Sequence, residues 1–255
     1  MGTKKRPLDK KSDEPQIRSK ERVAGYGEVF TSSPVVKAMC DLVESETERI
    51  DSRFLEPACG HGNFLEEILK RKLNIVKKMY RKDPYYFELY AFVAASGLYG
   101  IDIMEDNVEE CRKRLLGVWE KSYAAAMRSM NSDEDESVKK AVSYIFNKNI
   151  ICGDALTLKI KDKSPIIDGD ALTLQAESTP IIFSEWSVID RTKRLIKRRD
   201  FELSELMAQD APKRHRNQKS LAGFGSADEE SFRIPEPVKL CEYDAVDFRR
   251  VTEYA

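Results

Sequence analysis

LEPACGHGNFLEEIL, residues 55–69, decides how the rest of the chain is read. A short apolar run ends in Glu56 and Pro57, glycines follow at 60 and 62, and a helical pattern begins at Phe64. Gly60 and Gly62 let the chain reverse without a Cβ clash and let backbone N–H groups come close to a ligand. The helix starting near Asn63 aims its positive end at the same place. The stretch is neither the GxxxxGK[ST] phosphate loop nor the GxGxxG dinucleotide turn. With an acid ahead of the turn and no basic residue in it, the ligand part it suits is cationic or hydroxyl-bearing, not a pyrophosphate. His61 reads as an exposed loop residue and Cys59 as a small residue in a tight turn.

Outward from this turn, strands are expected at RFLEPA (53–58), LYGIDI (98–103), NIICGDAL (149–156) and PIIFSEWSVI (180–189). Helical spacing is expected over 35–50, 64–80, roughly 84–97, 106–127 and about 137–147. Over 64–80 the inward side chains are Phe64, Leu65, Ile68, Leu69, Val76 and Met79. Strands alternating with helices predict an α/β domain with a mostly parallel sheet and helices on both faces. Ligands of such sheets sit at the carboxyl ends of the strands. There the second strand supplies Asp102, an acid placed to bind ribose hydroxyls, with Ile103 beside it to pack on a purine. The third supplies Asp154, able to accept from an adenine amine. Together they describe an adenosine whose far end, at the glycine turn, carries an amino-acid tail. GDALTL occurs at 153–158 and again at 169–174, a local duplication. The better strand precedes the first copy, which favours Asp154 over Asp170.

The chain has 255 residues, 43 basic against 44 acidic, two histidines and five cysteines. Net charge is therefore silent about partners. Two histidines make a His-rich metal site or a Ser/His/Asp triad improbable, and the cysteines show no CxxC spacing. Their odd number and apolar neighbours predict reduced, buried thiols in a cytoplasmic protein. No apolar run is long enough to span a bilayer. The chain is expected to divide into a flexible basic arm (1–22), a cofactor-binding domain (23–200) and a partly irregular C-terminal extension (201–255).

FTxxPVVKAM (30–39), LEPACGxGxFL (55–65), YGIDI (99–103) and CGDAL (152–156) resemble, in this order, the cofactor half of adenine-specific DNA methyltransferases, a family that includes modification subunits of restriction systems. The resemblance covers roughly residues 25–190. It implies a Rossmann-like S-adenosylmethionine-dependent methyltransferase fold with S-adenosylmethionine as cofactor. It places Phe30 and Thr31 near the methionine end. It lines the methionine turn with Glu56, Pro57, Ala58, Cys59, Gly60, Gly62 and Phe64, and gives ribose and adenine to Asp102, Ile103, Asp154 and Ala155. DNA is the implied substrate.

The family's catalytic [DNS]-P-P-[YFW] tetrapeptide is absent. After the fourth strand the chain reads Ser184, Glu185, Trp186, the candidate substitutes: Glu185 to accept an amino proton, Trp186 to stack a flipped base. Too few residues follow for a separate target-recognition domain, so a protein partner is expected to supply one. In RTKRLIKRR (191–199), Arg191, Lys193, Arg194, Lys197, Arg198 and Arg199 are candidate phosphate contacts, with APKRHRNQK (211–219) beyond. The alternatives are a non-catalytic relative kept as a binding or assembly module, and methyl transfer to RNA or a small molecule.

Overall fold

A computed structural model describes residues 17, 19–26, 28–160, 166–168, 171–173, 179–210 and 238–254. In chain order the elements are α1 (Lys20–Tyr26), α2 (Ser33–Asp41), α3 (Glu44–Thr47), β1 (Phe54–Glu56), α4 (Asn63–Met79), α5 (Pro84–Ser96), β2 (Leu98–Asp102), α6 (Glu105–Ser129), α7 (Glu136–Asn149) and β3 (Ile150–Asp154). Then come β4 (Lys159–Ile160), β5 (Ile166–Asp168), β6 (Ala171–Thr173), β7 (Ile182–Asp190), β8 (Leu195–Glu202), α8 (Leu203–Asp210), β9 (Lys239–Glu242), β10 (Val246–Asp247) and a 3-10 helix, Phe248–Glu253.

The helices form where sequence chemistry asks for them. In α4 the stripe Leu65, Ile68, Leu69, Leu73, Val76 is buried at helical spacing. Met79, expected inward, is 61% exposed. Asp83 caps α5 by accepting from the Tyr86 N–H, and Pro84 occupies the first turn. α5 is then buried nearly all round, as a central helix must be when apolar on every face. Asp135 caps α7 the same way, through Ser137 N–H. In α2 only Val36 and Cys40 are buried; of the stripe Val35, Val36, Met39, Leu42 and Val43 expected at helical spacing over 35–50, four of the five side chains are exposed.

The chain is α/β, but the mostly parallel, Rossmann-like sheet with helices on both faces is not what it builds. Among the described residues only β1, β2 and β3 run parallel, with Phe54 opposite Leu98 and Gly100 opposite Ile150. β4 adds antiparallel to β3, closing a mixed sheet in the order β1–β2–β3–β4. The segment expected as a fourth parallel strand is β7, which belongs to a separate antiparallel sheet ordered β10–β8–β7, with β9 also pairing β8. The physical reason lies in residues 190–202. Asp190 Oδ1 accepts from the Thr192 and Lys193 amides, Arg194 takes a left-handed φ of 54°, and the chain turns straight back. The returning strand buries Ile196, Arg198 and Asp200 at alternate positions. Its basic residues disguise a half-buried strand as a charge run.

β7 bridges two apolar clusters. Phe183 joins Tyr99, Ile101, Ile181 and Leu203, while Trp186 joins the main core of α4–α7. The expected boundary at 200/201 falls inside β8, and Phe248 and Val251 near the C-terminus are fully buried in that main core. At the other end, Lys20–Tyr26 is helical where a flexible arm to residue 22 is expected. The second GDALTL copy with Asp170, the 211–219 stretch and residues 1–16 lie outside the described residues, apart from the Ala171–Thr173 strand.

Candidate functional site

The glycine turn is built by constraint from behind. Gly62 has φ +88°, and a Cβ there would lie 2.6 Å from the Cys111 sulfur on α6. Gly60 has φ +51°, and a Cβ would press on the Phe30 ring at 3.1 Å. Only glycine meets both conditions without strain. The turn is tied to β2 by Cys59 N–H donating to Ile101 O at 2.8 Å, and Gly60 N–H donates to Asp102 Oδ2 at 2.9 Å. Asn63, at the start of α4, donates through Nδ2 to Thr31 O at 2.9 Å, which draws the 30–31 segment against the turn.

These ties enclose a cavity of about 550 Å³, within the roughly 300–1,000 Å³ usual for small-molecule sites. Four separate pieces of chain wall it: 28–31, 56–64, 102–107 and 153–156. Of the residues expected to touch a cofactor, Phe30, Thr31, Glu56, Pro57, Ala58, Cys59, Gly60, Phe64, Asp102, Ile103, Asp154 and Ala155 all line it. Gly62 does not; its place is the packing against Cys111.

The cavity's charge is one-sided. Glu28, Glu56, Asp102 and Asp154 line it, and among the described residues no lysine or arginine does. Burial raises the Glu56 carboxyl above its ordinary value, with the Ala58 N–H opposing. Hydrogen bonding with Cys111, then burial, holds the Cys59 thiol far above its ordinary value, which disfavours the thiolate form. Asp102 is heavily used: Oδ1 accepts from Met104 N–H at 2.8 Å and from Asn107 Nδ2 at 3.2 Å, besides the Gly60 contact. Asp154 Oδ1 accepts from Leu156 N–H at 2.8 Å, which shapes the turn after β3 and leaves Leu156 95% exposed at the cavity mouth.

The sequence does not single out Glu28, Asn63, Met104 or Leu156 as site residues, and it misplaces His61. That ring is 6% exposed, 3.8 Å from the Phe30 ring between centroids, and its Nδ1 meets Arg114. An arginine only donates, so Nδ1 is the unprotonated acceptor and Nε2 carries the proton. The signal was thin: Asn107 stands five residues after Asp102, in the first turn of α6, and Glu28 stands two before Phe30.

Ser184, Glu185 and Trp186 do not line this cavity. Ser184 Oγ donates to Asp200 at 2.8 Å, Glu185 is paired with Arg53 and Arg199, and Trp186 is buried edge-on to Phe92. Four of the six basic residues in the 191–199 stretch are ion-paired within the fold, two of them buried. Arg194 pairs with Glu88 at 2.8 Å, Arg198 with Asp200 at 2.7 Å, and Lys197 with Glu242, while Arg199 holds Glu185 at 3.0 Å. Arg191 and Lys193 stay exposed on the hairpin turn. Cys40, Cys59 and Cys111 are buried as expected of reduced thiols, but Cys241 is exposed. Among the described residues no group of His, Cys, Asp and Glu is arranged to hold a metal ion, and no helix is long and apolar enough to cross a membrane. No family model matches the chain, and no curated protein or solved structure matches it either.

Proposed function

We propose that the cavity binds S-adenosylmethionine and that the chain is the cofactor-binding component of a system that methylates adenine in DNA. The observation that carries this reading is a cavity with four carboxylates and, among the described residues, no lysine or arginine. Such a lining disfavours phosphate and favours a ligand rich in hydroxyls, amines or positive charge. S-adenosylmethionine has two ribose hydroxyls, an adenine amine, an ammonium and a sulfonium. In this reading Asp102, Asp154 and Glu56, which all line the cavity, take the ribose, the base and the cationic tail.

Methyl transfer of this kind needs no covalent intermediate. When bound, S-adenosylmethionine would supply a sulfonium methyl to a target amine, the thioether S-adenosylhomocysteine leaving and the amine losing a proton, and positioning with exclusion of water would supply the acceleration. The groups that hold the target amine come, in this proposal, from another chain. A second reading, cofactor binding without transfer, is favoured by one observation: Ser184, Glu185 and Trp186 are locked into β7 pairing and core packing. Calorimetric titration with S-adenosylmethionine tests binding. Transfer of radiolabelled methyl to mixed DNA, with and without the products of neighbouring genes, separates the two readings. No binding defeats both.

A further inference from the structure

We propose that Glu28 is a second ribose-binding carboxylate of the ligand site and that, with Asp102, it takes the vicinal hydroxyl pair of a ribose. This rests on the adenosine-bearing ligand proposed above. Glu28 and Asp102 both line the cavity, although they come from the α1–α2 connection and from the end of β2. One amide joins them: Asn107 Nδ2 donates to Glu28 Oε1 at 2.7 Å and to Asp102 Oδ1 at 3.2 Å. Asn107 is 1% exposed, so this bridge is an internal part of the cavity floor.

Two carboxylates sharing one amide repel each other unless a cation stands nearby. Arg22 is that cation. Its Nε donates to Glu28 Oε2 at 2.6 Å and its Nη2 to Glu28 Oε1 at 2.7 Å, a two-point grip, while Nη1 reaches Asp106 Oδ2 at 2.6 Å. Nη2 also donates to Asn107 Oδ1 at 3.2 Å. Because the guanidinium has only donors, the Asn107 oxygen must face Arg22 and its NH2 must face the two acids. Arg22 thus orients the amide and offsets the charge while staying out of the cavity lining. What the floor offers a ligand is two carboxylates held on one amide. A vicinal diol brings two donors on adjacent carbons to such a pair, whereas a phosphate is an anion that carboxylates repel. Asp102 also fixes the glycine turn, so Glu28 is the member of the pair whose removal leaves that turn intact.

The test is calorimetric titration of the full chain and of Glu28→Ala with S-adenosylhomocysteine and its 2′-deoxy and 3′-deoxy counterparts. The unmodified chain is expected to lose about tenfold or more in affinity when one hydroxyl is deleted, because a buried acceptor then goes unmet. Glu28→Ala is expected to bind the parent ligand more weakly yet bind one of the deoxy ligands nearly as well as the unmodified chain does, shrinking the discrimination to about threefold or less. Equal weakening of all three ligands, or unchanged discrimination, overturns the proposal while leaving the cofactor reading standing. Failure of the unmodified chain to bind any of them overturns both. If Glu28→Ala does not fold, Glu28→Gln keeps the shape and loses the charge, and the same comparison decides.

Discussion

Asp102 holds the Gly60 amide at 2.9 Å through the oxygen that the Met104 amide and Asn107 leave to it. One carboxylate therefore ties the glycine turn to the end of β2 before any ligand arrives. Replacing it with alanine removes three accepted hydrogen bonds at once. Asp102→Ala is expected to lower the unfolding free energy of the ligand-free protein by about 1–3 kcal/mol and to abolish measurable S-adenosylmethionine binding. Denaturant unfolding and calorimetry on the same sample check both. A variant that lost binding while keeping full stability would show the turn to be self-supporting.

Gly62 is a packing position, not a ligand contact. Gly62→Ala puts a Cβ 2.6 Å from the Cys111 sulfur, at a φ that side chains avoid. Its expected cost is about 1–3 kcal/mol of stability. Gly62→Ala combined with Cys111→Ala should recover part of that loss, because the clash term goes while the φ term stays. Chemical denaturation of the two variants measures the split.

Lys72 predicts a pH dependence. It lies fully buried in α4, its Nζ donates to Ser52 O, and burial brings its pKa down to about 7. The unfolded chain keeps the ordinary value of 10.5, so between these limits the unfolded state binds more protons. Stability should therefore rise as pH goes from 7 toward 10.5, by up to roughly 1.4 kcal/mol per pH unit from this one group. Below pH 7 both states are protonated and the penalty is constant. Lys72→Met should flatten the rise, and a series of urea midpoints against pH for both proteins checks it.

The SEW stretch should behave as structure. Trp186→Ala is expected to cost about 3–5 kcal/mol through the cavity it leaves, and Glu185→Gln to weaken the pairing with Arg53 and Arg199. Glu185→Gln should leave the affinity for S-adenosylmethionine within twofold, since Glu185 lines a different, largely apolar pocket beside Leu55 and Phe201. A large loss of affinity would bring β7 back to the site.

Much of the cavity wall was legible because those parts are local: glycines with an acid before them, and acids as the last residues of two strands, all read along a few consecutive residues. The helices were legible through their spacing and through Asp83 and Pro84. What escaped depends on contacts between distant residues. Lys197, Arg198 and Arg199 look solvated in a row, and only the pairing of β8 with β7 reveals that Arg198 is buried on Asp200. His61 looks like loop until Phe30 and Arg114 close on it. The strand at 182–190 is apolar enough for either sheet, and the tight turn at Asp190–Arg194 decides which it joins.

Four stretches of chain, at 28–31, 56–64, 102–107 and 153–156, meet around one void only in the finished fold. A molecule seated there touches all of them and has little to hold in the unfolded chain. Its free energy of association is therefore added to the cooperative melting of the whole domain. Occupancy can be followed as an upward shift in melting temperature, with no turnover and no nucleic acid in the tube, so candidate ligands can be ranked before any reaction is found.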